Sequence, residues 1–223
     1  LMKAMILAAG EGRRLAPLTH RTPKPLLPVA GVPLLIRQIR QLSRAGYSDI
    51  VINLHHLSEQ IEASLGDGSE FGVTIRYSRE LELLETGGGI VNALPLLGDA
   101  PFILLNGDIF TDFDFVDLAT ALTDETLGHL VVTEKPANRD QGDFAISETR
   151  ITKRGGKWVY CGIAVLDPRL FINAPTGAFS LRDVYFSALQ KNQLSVQIHA
   201  GQWTDIGDLK AYAAVRDEGF KKK

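Results

Sequence analysis

Short apolar segments alternate with helix-periodic segments through the first half of the chain, and this alternation constrains the fold more than any other feature. Four segments have the length and composition of buried strands: residues 3–9, 50–54, 73–77 and 102–105. The segments between them predict helices from residue 34 to Gly46, from Ser58 to about Gly66, and over residues 88–97. The sequence therefore predicts an α/β fold with a mostly parallel sheet, helices on both faces, and ligands at the carboxyl ends of the strands.

The second half of the chain has a different pattern of predicted secondary structure. Strand-like segments separated by polar, glycine-containing turns occupy residues 130–134, 144–147 and 159–166. A predicted helix over residues 181–191, a strand over 195–199 and a closing helix over 209–218 follow. We therefore expect one domain over residues 1–223, in which about residues 126–223 add a small antiparallel or mixed half to a mainly parallel half of about residues 1–125.

Composition narrows the possible partners. Lys and Arg number 24 against 26 Asp and Glu, a formal net charge of −2, so the chain lacks the basic surface that a nucleic-acid backbone requires. Its one cysteine, Cys161, lies in an apolar segment and is expected to be a buried thiol rather than a nucleophile. No apolar stretch approaches the roughly 18 residues of a membrane span, and no secretory leader opens the sequence. We expect a cytoplasmic monomer that binds neither nucleic acid nor a membrane.

The first chemical signal follows the first predicted strand. Residues 7–19 read LAAGEGRRLAPLT, and residues 22–29 read TPKPLLPV. Glycines allow backbone N–H groups to approach a polyphosphate, and Arg14 and Lys24 add positive charge. The spacing matches neither a Walker A motif nor a dinucleotide fingerprint, so a simple strand-exit turn is the alternative. A connection of roughly 15 residues without regular structure is unusual unless it binds a ligand, which favours a phosphate-binding loop.

These two segments resemble the signature of the nucleotidyltransferases that activate sugar 1-phosphates, LAAGxGTRL followed by PKxxLPV. The chain departs from it at Arg13, where the family usually has Thr. The resemblance implies a Rossmann-like fold, with Arg14 on the leaving pyrophosphate and Lys24 on the reacting phosphates, both as catalytic residues. It also implies a nucleoside triphosphate bound by the loop residues Ala9, Gly10, Gly12, Arg13 and Arg14, together with Lys24.

Two aspartates far apart in the sequence form the second signal. Asp108 ends the segment LLNGD, and Asp205 lies in the segment WTDIG. On spacing alone each is an ordinary turn former or helix cap. The resemblance implies instead that both bind Mg²⁺ and that Asp108 is catalytic. Mg²⁺ takes hard oxygen ligands and is often held by one or two carboxylates plus substrate phosphates, so such a pair suffices.

The third signal runs from Glu80 to the segment LETGGG at residues 84–89, which aligns with the base-binding segment of the family. The resemblance implies that Glu80, Thr86 and Gly87 bind the nucleotide. An ionised Glu80 can only accept hydrogen bonds, and uracil and guanine present ring N–H donors where cytosine has none. We therefore expect UTP, leave GTP open and disfavour CTP. A surface glutamate preceding a glycine turn is the alternative.

Within the family, the short chain, the LETGGG segment and the GDF segment at residues 142–144 are most similar to members that act in bacterial cell-wall recycling. That similarity implies transfer of UMP from UTP to the sugar 1-phosphate of N-acetylmuramate, with Asn106 and Asp143 binding the sugar phosphate. The lactyl carboxylate of this substrate requires a cation, for which the candidates are Lys153, Arg154 and Lys157.

Two other functions stay open at this point. One is the same chemistry on other substrates: guanylyl transfer to a mannose-type sugar phosphate, or uridylyl or thymidylyl transfer to a glucose-type one. The other is a catalytically silent subunit that binds nucleotide sugars. The presence of Arg14, Lys24, Asp108 and Asp205 together disfavours the silent subunit.

Overall fold

The computed structural model describes residues 2–137 and 139–217. Its strands are β1 Lys3–Leu7, β2 Pro28–Val29, β3 Val32–Pro33, β4 Asp49–Leu54, β5 Thr74–Arg79, β6 Phe102–Asn106, β7 Ile109–Thr111, β8 Gly128–Glu134, β9 Phe144–Ser147, β10 Arg150–Arg154, β11 Trp158–Leu166, β12 Leu194–Ile198 and β13 Trp203–Asp205. Its α-helices are α1 Leu34–Arg44, α2 Ser58–Leu65, α3 Glu85–Leu97, α4 Leu181–Gln190 and α5 Leu209–Val215. The predicted alternation is confirmed, and residue 218, the predicted end of the closing helix, lies outside the described residues.

The main sheet has nine strands in the order β5-β4-β1-β6-β11-β8-β12-β10-β9. Strands β5, β4, β1 and β6 are all parallel to their neighbours within this group. Strand β11 runs antiparallel to both β6 and β8, β12 pairs parallel with β8, and β9 and β10 form an antiparallel pair at the far edge. A mixed α/β sheet with a parallel first half and antiparallel additions confirms the predicted fold class.

Helices cover both faces of the sheet. Because successive side chains of a strand point to opposite faces, each central strand contributes to two hydrophobic cores. In β1, Ala4 and Ile6 pack in one core with Leu35 and Ile39 of α1. Met5, between them, packs in the other core with residues of α3 and α4. The central strands are therefore apolar on both faces. The helices do not cover the carboxyl ends of β1 and β6, where α/β folds bind their ligands.

The connection after β1 is more ordered than its sequence indicates. Three short 3-10 turns, Arg13–Leu15, Leu18–His20 and Lys24–Leu26, follow the glycines. The side chain of Leu15 is fully buried in a third core, together with Phe110 and Ile206. This core attaches the loop to two small strands, β7 and β13, which pair with each other in an antiparallel sheet. None of the helices in the described part of the chain has the length and apolar content to cross a bilayer.

Candidate active site

Two adjoining cavities open at the carboxyl ends of β1 and β6. The first, here the glycine-loop cavity, has a volume of about 420 Å³, and its lining includes Ala9, Gly10, Gly12, Lys24 and Asp108. The second, here the arginine cavity, has a volume of about 640 Å³, and its lining includes Arg139, Asp143, Arg154, Arg182 and Asp205. The cavities share Thr86, Asn106 and Ser180. A site divided in this way can hold two substrates side by side.

The two predicted loop glycines have different physical roles. A Cβ built on Gly10 meets no other atom within 4 Å, so this position faces open space in the cavity. Gly12 has a φ of +64°, and a Cβ there would lie 2.8 Å from Cγ2 of Thr19. The Thr19 hydroxyl donates to the carbonyl of Gly12 across 2.9 Å. Gly12 is therefore required for the loop to fold, whereas Gly10 leaves room for a ligand.

The turn that carries Asp108 is held against the end of β1. Gly107 donates its N–H to the carbonyl of Leu7 across 2.9 Å, and a Cβ on Gly107 would overlap that carbonyl. From α1, the buried Gln38 side chain donates through Nε2 to the carbonyls of Asn106 (2.9 Å) and Ile109 (3.0 Å). Gln38 thus binds the backbone on both sides of the Gly107–Asp108 turn. Gln38 was not predicted as a site residue, because its position on the buried stripe of α1 offers no chemical signal in the sequence.

The predicted charged residues converge on this turn. Nζ of Lys24 lies 2.5 Å from Oδ2 of Asp108, and the Lys24 side chain is only 11% exposed. Asp205 reaches the same place because β13 pairs with β7, and Asp205 lies opposite Ile109. Partial removal from solvent and the Asp108 carboxylate raise the pKa of Asp205, while Lys24, Arg14 and Arg139 lower it. The two carboxylates and these three cations therefore share one electrostatic environment.

The two carboxylates fit a divalent cation. They are hard oxygen donors, and removal from solvent, followed by the nearby Asp108 carboxylate, raises the pKa of Asp205; a bound cation would offset both effects. No group of three or more His, Cys, Asp or Glu side chains positioned to hold a metal occurs among the residues that the structure describes. Water and substrate phosphates would therefore complete the coordination, which is the mode that Mg²⁺ favours.

Adjacent arginines of the loop point in different directions. Arg14 lies against Gly207, which is two residues after Asp205 in sequence; a Cβ on Gly207 would be 3.1 Å from Nη2 of Arg14. The Arg13 side chain is 84% exposed, and its Nε donates to Glu11 across 2.5 Å. Arg14 is thus held toward the predicted metal site, whereas the Arg13 side chain lies in solvent beside Glu11, and its nucleotide contact stays a prediction.

Glu80 does not occupy the position that its predicted role requires. Its side chain is 6% exposed and lines neither cavity. Oε1 accepts from Nδ2 of Asn53 across 2.8 Å, and Oε2 accepts from the N–H of Leu84 across 3.0 Å. Asn53 in turn accepts from the N–H of Ala8 across 2.8 Å. Glu80 supports the walls of the glycine-loop cavity, so the prediction that it binds the base edge does not fit this arrangement.

Gly87 also has a packing role. Its N–H donates to the carbonyl of Phe179 across 2.9 Å, and a Cβ there would overlap the Phe179 ring. The N–H is therefore already used within the protein, and the predicted nucleotide contact through Gly87 is not supported. Thr86, by contrast, lines both cavities, while its Oγ1 accepts from the N–H of Leu181 across 2.9 Å.

The predicted sugar-phosphate residues both line the arginine cavity. Asn106 lies at the boundary between the cavities. Asp143 accepts from Arg139 across 2.7 Å through Oδ1 and from the N–H of Tyr160 across 2.9 Å through Oδ2. Arg139 and Arg182 also line this cavity. Neither was predicted from the sequence, because neither lies in a family motif. A carboxylate anchored in this way can accept hydrogen bonds from sugar hydroxyls and hold Arg139 in place.

Cys161 is the buried thiol that the sequence predicts. It is 0% exposed, and burial raises the pKa of its thiol to about 12. Its carbonyl accepts from the indole N–H of Trp203 across 2.8 Å, which attaches β13 to β11. A protonated, buried thiol is a poor nucleophile, so this residue has a packing role.

Comparison with known proteins shows which family the chain is similar to. A family model described as "Nucleotidyl transferase" matches residues 3–141. A Neisseria meningitidis protein named "N-acetylmuramate alpha-1-phosphate uridylyltransferase" is 44% identical over 215 residues, which cover 92% of this chain and 93% of that protein. A Gibberella zeae "Mannose-1-phosphate guanyltransferase" is 31% identical over 95% of this chain, which spans only 62% of its length.

A solved structure supports the fold. A putative glucose-1-phosphate thymidylyltransferase from Bacillus anthracis, in complex with a sucrose, superimposes with a TM-score of 0.85 over 100% of this chain and 98% of that one. The sequence identity is 24%, so this likeness concerns the fold alone. Together with the matched family model and the 44% identity over nearly the full length of a relative, it confirms the resemblance seen in the sequence, and the chain belongs to the nucleotidyltransferase family.

Proposed function

We propose that the chain transfers UMP from UTP to N-acetylmuramate 1-phosphate and releases pyrophosphate. The observation that carries this proposal is the 44% identity to the Neisseria meningitidis uridylyltransferase, which extends over 93% of that protein. The two adjoining cavities support it, because the glycine-loop cavity suits a nucleoside triphosphate and the larger arginine cavity suits an anionic sugar phosphate. The shared residue Asn106 lies where the two substrates would meet.

The reaction is a direct substitution at phosphorus. A phosphate oxygen of the sugar 1-phosphate forms a bond to the α-phosphorus of UTP, and the bond from that phosphorus to the bridging oxygen of pyrophosphate breaks. No protein nucleophile is required, so catalysis consists of positioning the phosphates and neutralising the charge that develops on them. In this proposal the loop around Gly10 and Gly12 binds the triphosphate, Lys24 contacts the reacting phosphates, and Arg14 contacts the leaving pyrophosphate.

Asp108 and Asp205 would hold the metal ion. The family generally uses a divalent metal, and we propose Mg²⁺. When bound, Mg²⁺ neutralises charge on phosphate oxygens and orients them. Lys24 keeps the Asp108 carboxylate in place through its 2.5 Å contact and supplies a positive charge beside the phosphates.

The choice of UTP as the nucleotide substrate rests on the relatives and not on Glu80. The buried position of Glu80 removes the argument that its carboxylate selects uracil, so UTP is proposed from the likeness to the uridylyltransferase alone. Guanylyl transfer to mannose 1-phosphate is the second candidate, supported by the 31% identity to a mannose-1-phosphate guanyltransferase. It is the weaker one, because this chain spans only 62% of that relative.

A matrix of nucleoside triphosphates against sugar 1-phosphates, monitored by pyrophosphate release, tests the proposal. We expect the highest kcat/KM for UTP with N-acetylmuramate 1-phosphate, and loss of turnover when Mg²⁺ is chelated. A maximum for GTP with mannose 1-phosphate would replace this function with the second candidate. We also propose that the protein is a cytoplasmic monomer. Light scattering after size-exclusion chromatography tests the oligomeric state by measuring the molar mass.

A further inference from the structure

One part of the arginine cavity carries two positive charges around a single aromatic ring. The guanidinium of Arg154, on β10, lies 3.7 Å from the ring centroid of Phe186, on α4. The guanidinium of Arg182, one helical turn before Phe186, lies 5.6 Å from the same centroid. All three side chains line the cavity. We call this group of Arg154, Arg182 and Phe186 the Phe186 corner.

Neither arginine of the Phe186 corner is neutralised within residues 2–137 and 139–217. No carboxylate in this range forms an ion pair with Arg154 or Arg182, whereas Arg139 of the same cavity is paired with Asp143 at 2.7 Å. Two like charges around one ring repel each other, and an anion bound between them would remove that cost. A guanidinium that contacts an aromatic face keeps its in-plane N–H donors free, and these match a carboxylate in geometry.

The Phe186 corner is separate from the place where the phosphates would react. Lys24 contacts the Asp108 carboxylate at 2.5 Å, whereas among the described residues neither Arg154 nor Arg182 forms an ion pair with Asp108 or Asp205. Arg154 lies on β10, which three strands separate from β6 in the order of the main sheet, and Asp108 follows β6. The site as a whole thus has one cation in contact with a predicted metal ligand and a second group of cations, the Phe186 corner, in the arginine cavity. A sugar 1-phosphate whose phosphate lies near Asp205 could place another substituent at the second group.

We propose that Arg154 and Arg182 form a carboxylate subsite that binds the lactyl carboxylate of N-acetylmuramate 1-phosphate. This inference rests on the proposed function and assigns its specificity to two side chains. Of the three cations that the sequence offers for this carboxylate, the structure selects Arg154. Lys153 does not line the cavity, and Lys157 donates to Glu134 across 3.3 Å outside it. Arg182 is added by the packing of α4.

The test compares N-acetylmuramate 1-phosphate with its lactyl carboxamide, which differs only in the charge and one atom of that group. The quantity measured is the ratio of kcat/KM for the acid to kcat/KM for the amide, in the unmodified protein, Arg154→Ala, Arg182→Ala and the control Lys153→Ala. We expect the ratio to fall by roughly 10- to 100-fold in each arginine variant, because a hydrogen bond between charged groups is lost. The control ratio should not change, and Arg154→Lys should recover part of the loss.

The outcomes separate the inference from the function on which it rests. If the unmodified protein uses another sugar phosphate and not N-acetylmuramate 1-phosphate, the proposed function is wrong. If it uses the acid, but acid and amide lose the same factor in the arginine variants, the two arginines bind the shared phosphate or act on structure, and the subsite is wrong. Thermal unfolding of each variant, with Arg154→Gln and Arg182→Gln as milder changes, excludes a folding defect as the cause.

Discussion

Ile206 donates its backbone N–H to the carbonyl oxygen of Asp108 across 2.9 Å. This bond continues the pairing of β7 with β13, in which Asp205 lies opposite Ile109. It holds the segments that carry Asp108 and Asp205 next to each other through the backbone, independently of either side chain. The carboxylate pair is therefore positioned before any substrate binds, which reduces the reorganisation that metal and triphosphate binding require.

The pair should be essential for turnover. We expect Asp108→Asn and Asp205→Asn each to lower kcat by roughly 10²- to 10³-fold, comparable to the removal of one preorganised electrostatic contact. Pyrophosphate release over a range of Mg²⁺ concentrations measures the effect. Asp114→Asn is the matched control, because Asp114 is exposed and its carboxylate accepts from the nearby N–H of Val116, at 3.1 Å, away from the Asp108 turn. Near-normal Mg²⁺-dependent turnover in Asp108→Asn would refute the metal assignment.

Gln38 should position the Asp108 turn. We expect Gln38→Leu to lower kcat and to raise the Mg²⁺ concentration needed for half-maximal activity, because the carbonyls of Asn106 and Ile109 lose their donor. Gln41→Leu is the control: on the same helix, Gln41 donates to the carbonyl of Thr111 across 2.9 Å, away from the turn.

Both glutamine variants should lose about 1–3 kcal/mol of unfolding free energy, since Gln38→Leu removes a donor from two carbonyls and Gln41→Leu removes a donor from one. Only Gln38→Leu should change the Mg²⁺ dependence. Chemical denaturation and kinetics on the same preparations separate the two effects. An equal shift of the Mg²⁺ dependence in both variants would show that Gln38 has no specific role at the turn.

Two glycines should respond to alanine in opposite ways. Gly87→Ala places a methyl group in the Phe179 ring, and we expect it to lower the free energy of unfolding by about 1–3 kcal/mol, as overpacking does. Gly10→Ala meets no neighbour, so the stability should be unchanged. The added methyl occupies the proposed triphosphate site, and loss of one charged hydrogen bond there would raise KM for UTP by roughly 10-fold. A stable Gly87→Ala protein with a raised KM for UTP would instead restore the predicted nucleotide contact.

The free energy of unfolding should fall in mild acid because of His129. This residue of β8 is 7% exposed, with its ring nitrogens 2.9 Å from Ser195 Oγ and Gln197 Oε1. Burial lowers its pKa in the folded state, although the Gln197 contact opposes the shift. The unfolded chain takes up a proton near the usual pKa of about 6.5, so unfolding becomes more favourable as the pH falls below that value.

The His129 contribution is isolated by comparison with His129→Gln. Between pH 7.5 and 5, the unfolding free energy of the unmodified protein should fall relative to that of the variant, by at most about 1.4 kcal/mol per pH unit. Urea denaturation at each pH provides the values. Parallel pH profiles for the two proteins would mean that His129 titrates normally in the folded state.

Local patterns in the sequence predicted the α-helices and the longer apolar strands in their order along the chain, but not β2, β3 or β10. The apolar runs became β1, β4, β5 and β6, and the helical stripe beginning at Leu34 became α1. Strands β7 and β13 were missed, because three-residue strands have too little periodicity to recognise. Yet these two strands bring Asp205 to Asp108. The resemblance to the family motifs therefore pointed to the two aspartates, and the pairing of β7 with β13 explains how they come together.

Periodicity and short motifs are local properties, and they were enough to predict the fold class, the family and the charged site residues Arg14, Lys24, Asp108 and Asp205. Which side chains face a cavity depends on three-dimensional packing, and local patterns do not contain it. Glu80 and Gly87 look like ligand contacts in the sequence, but their hydrogen bonds to Asn53, Leu84 and Phe179 are formed within the protein. Arg182 and Arg154 likewise meet at the Phe186 ring although they are distant in the chain. Whether a polar group is free or already hydrogen-bonded depends on such distant neighbours.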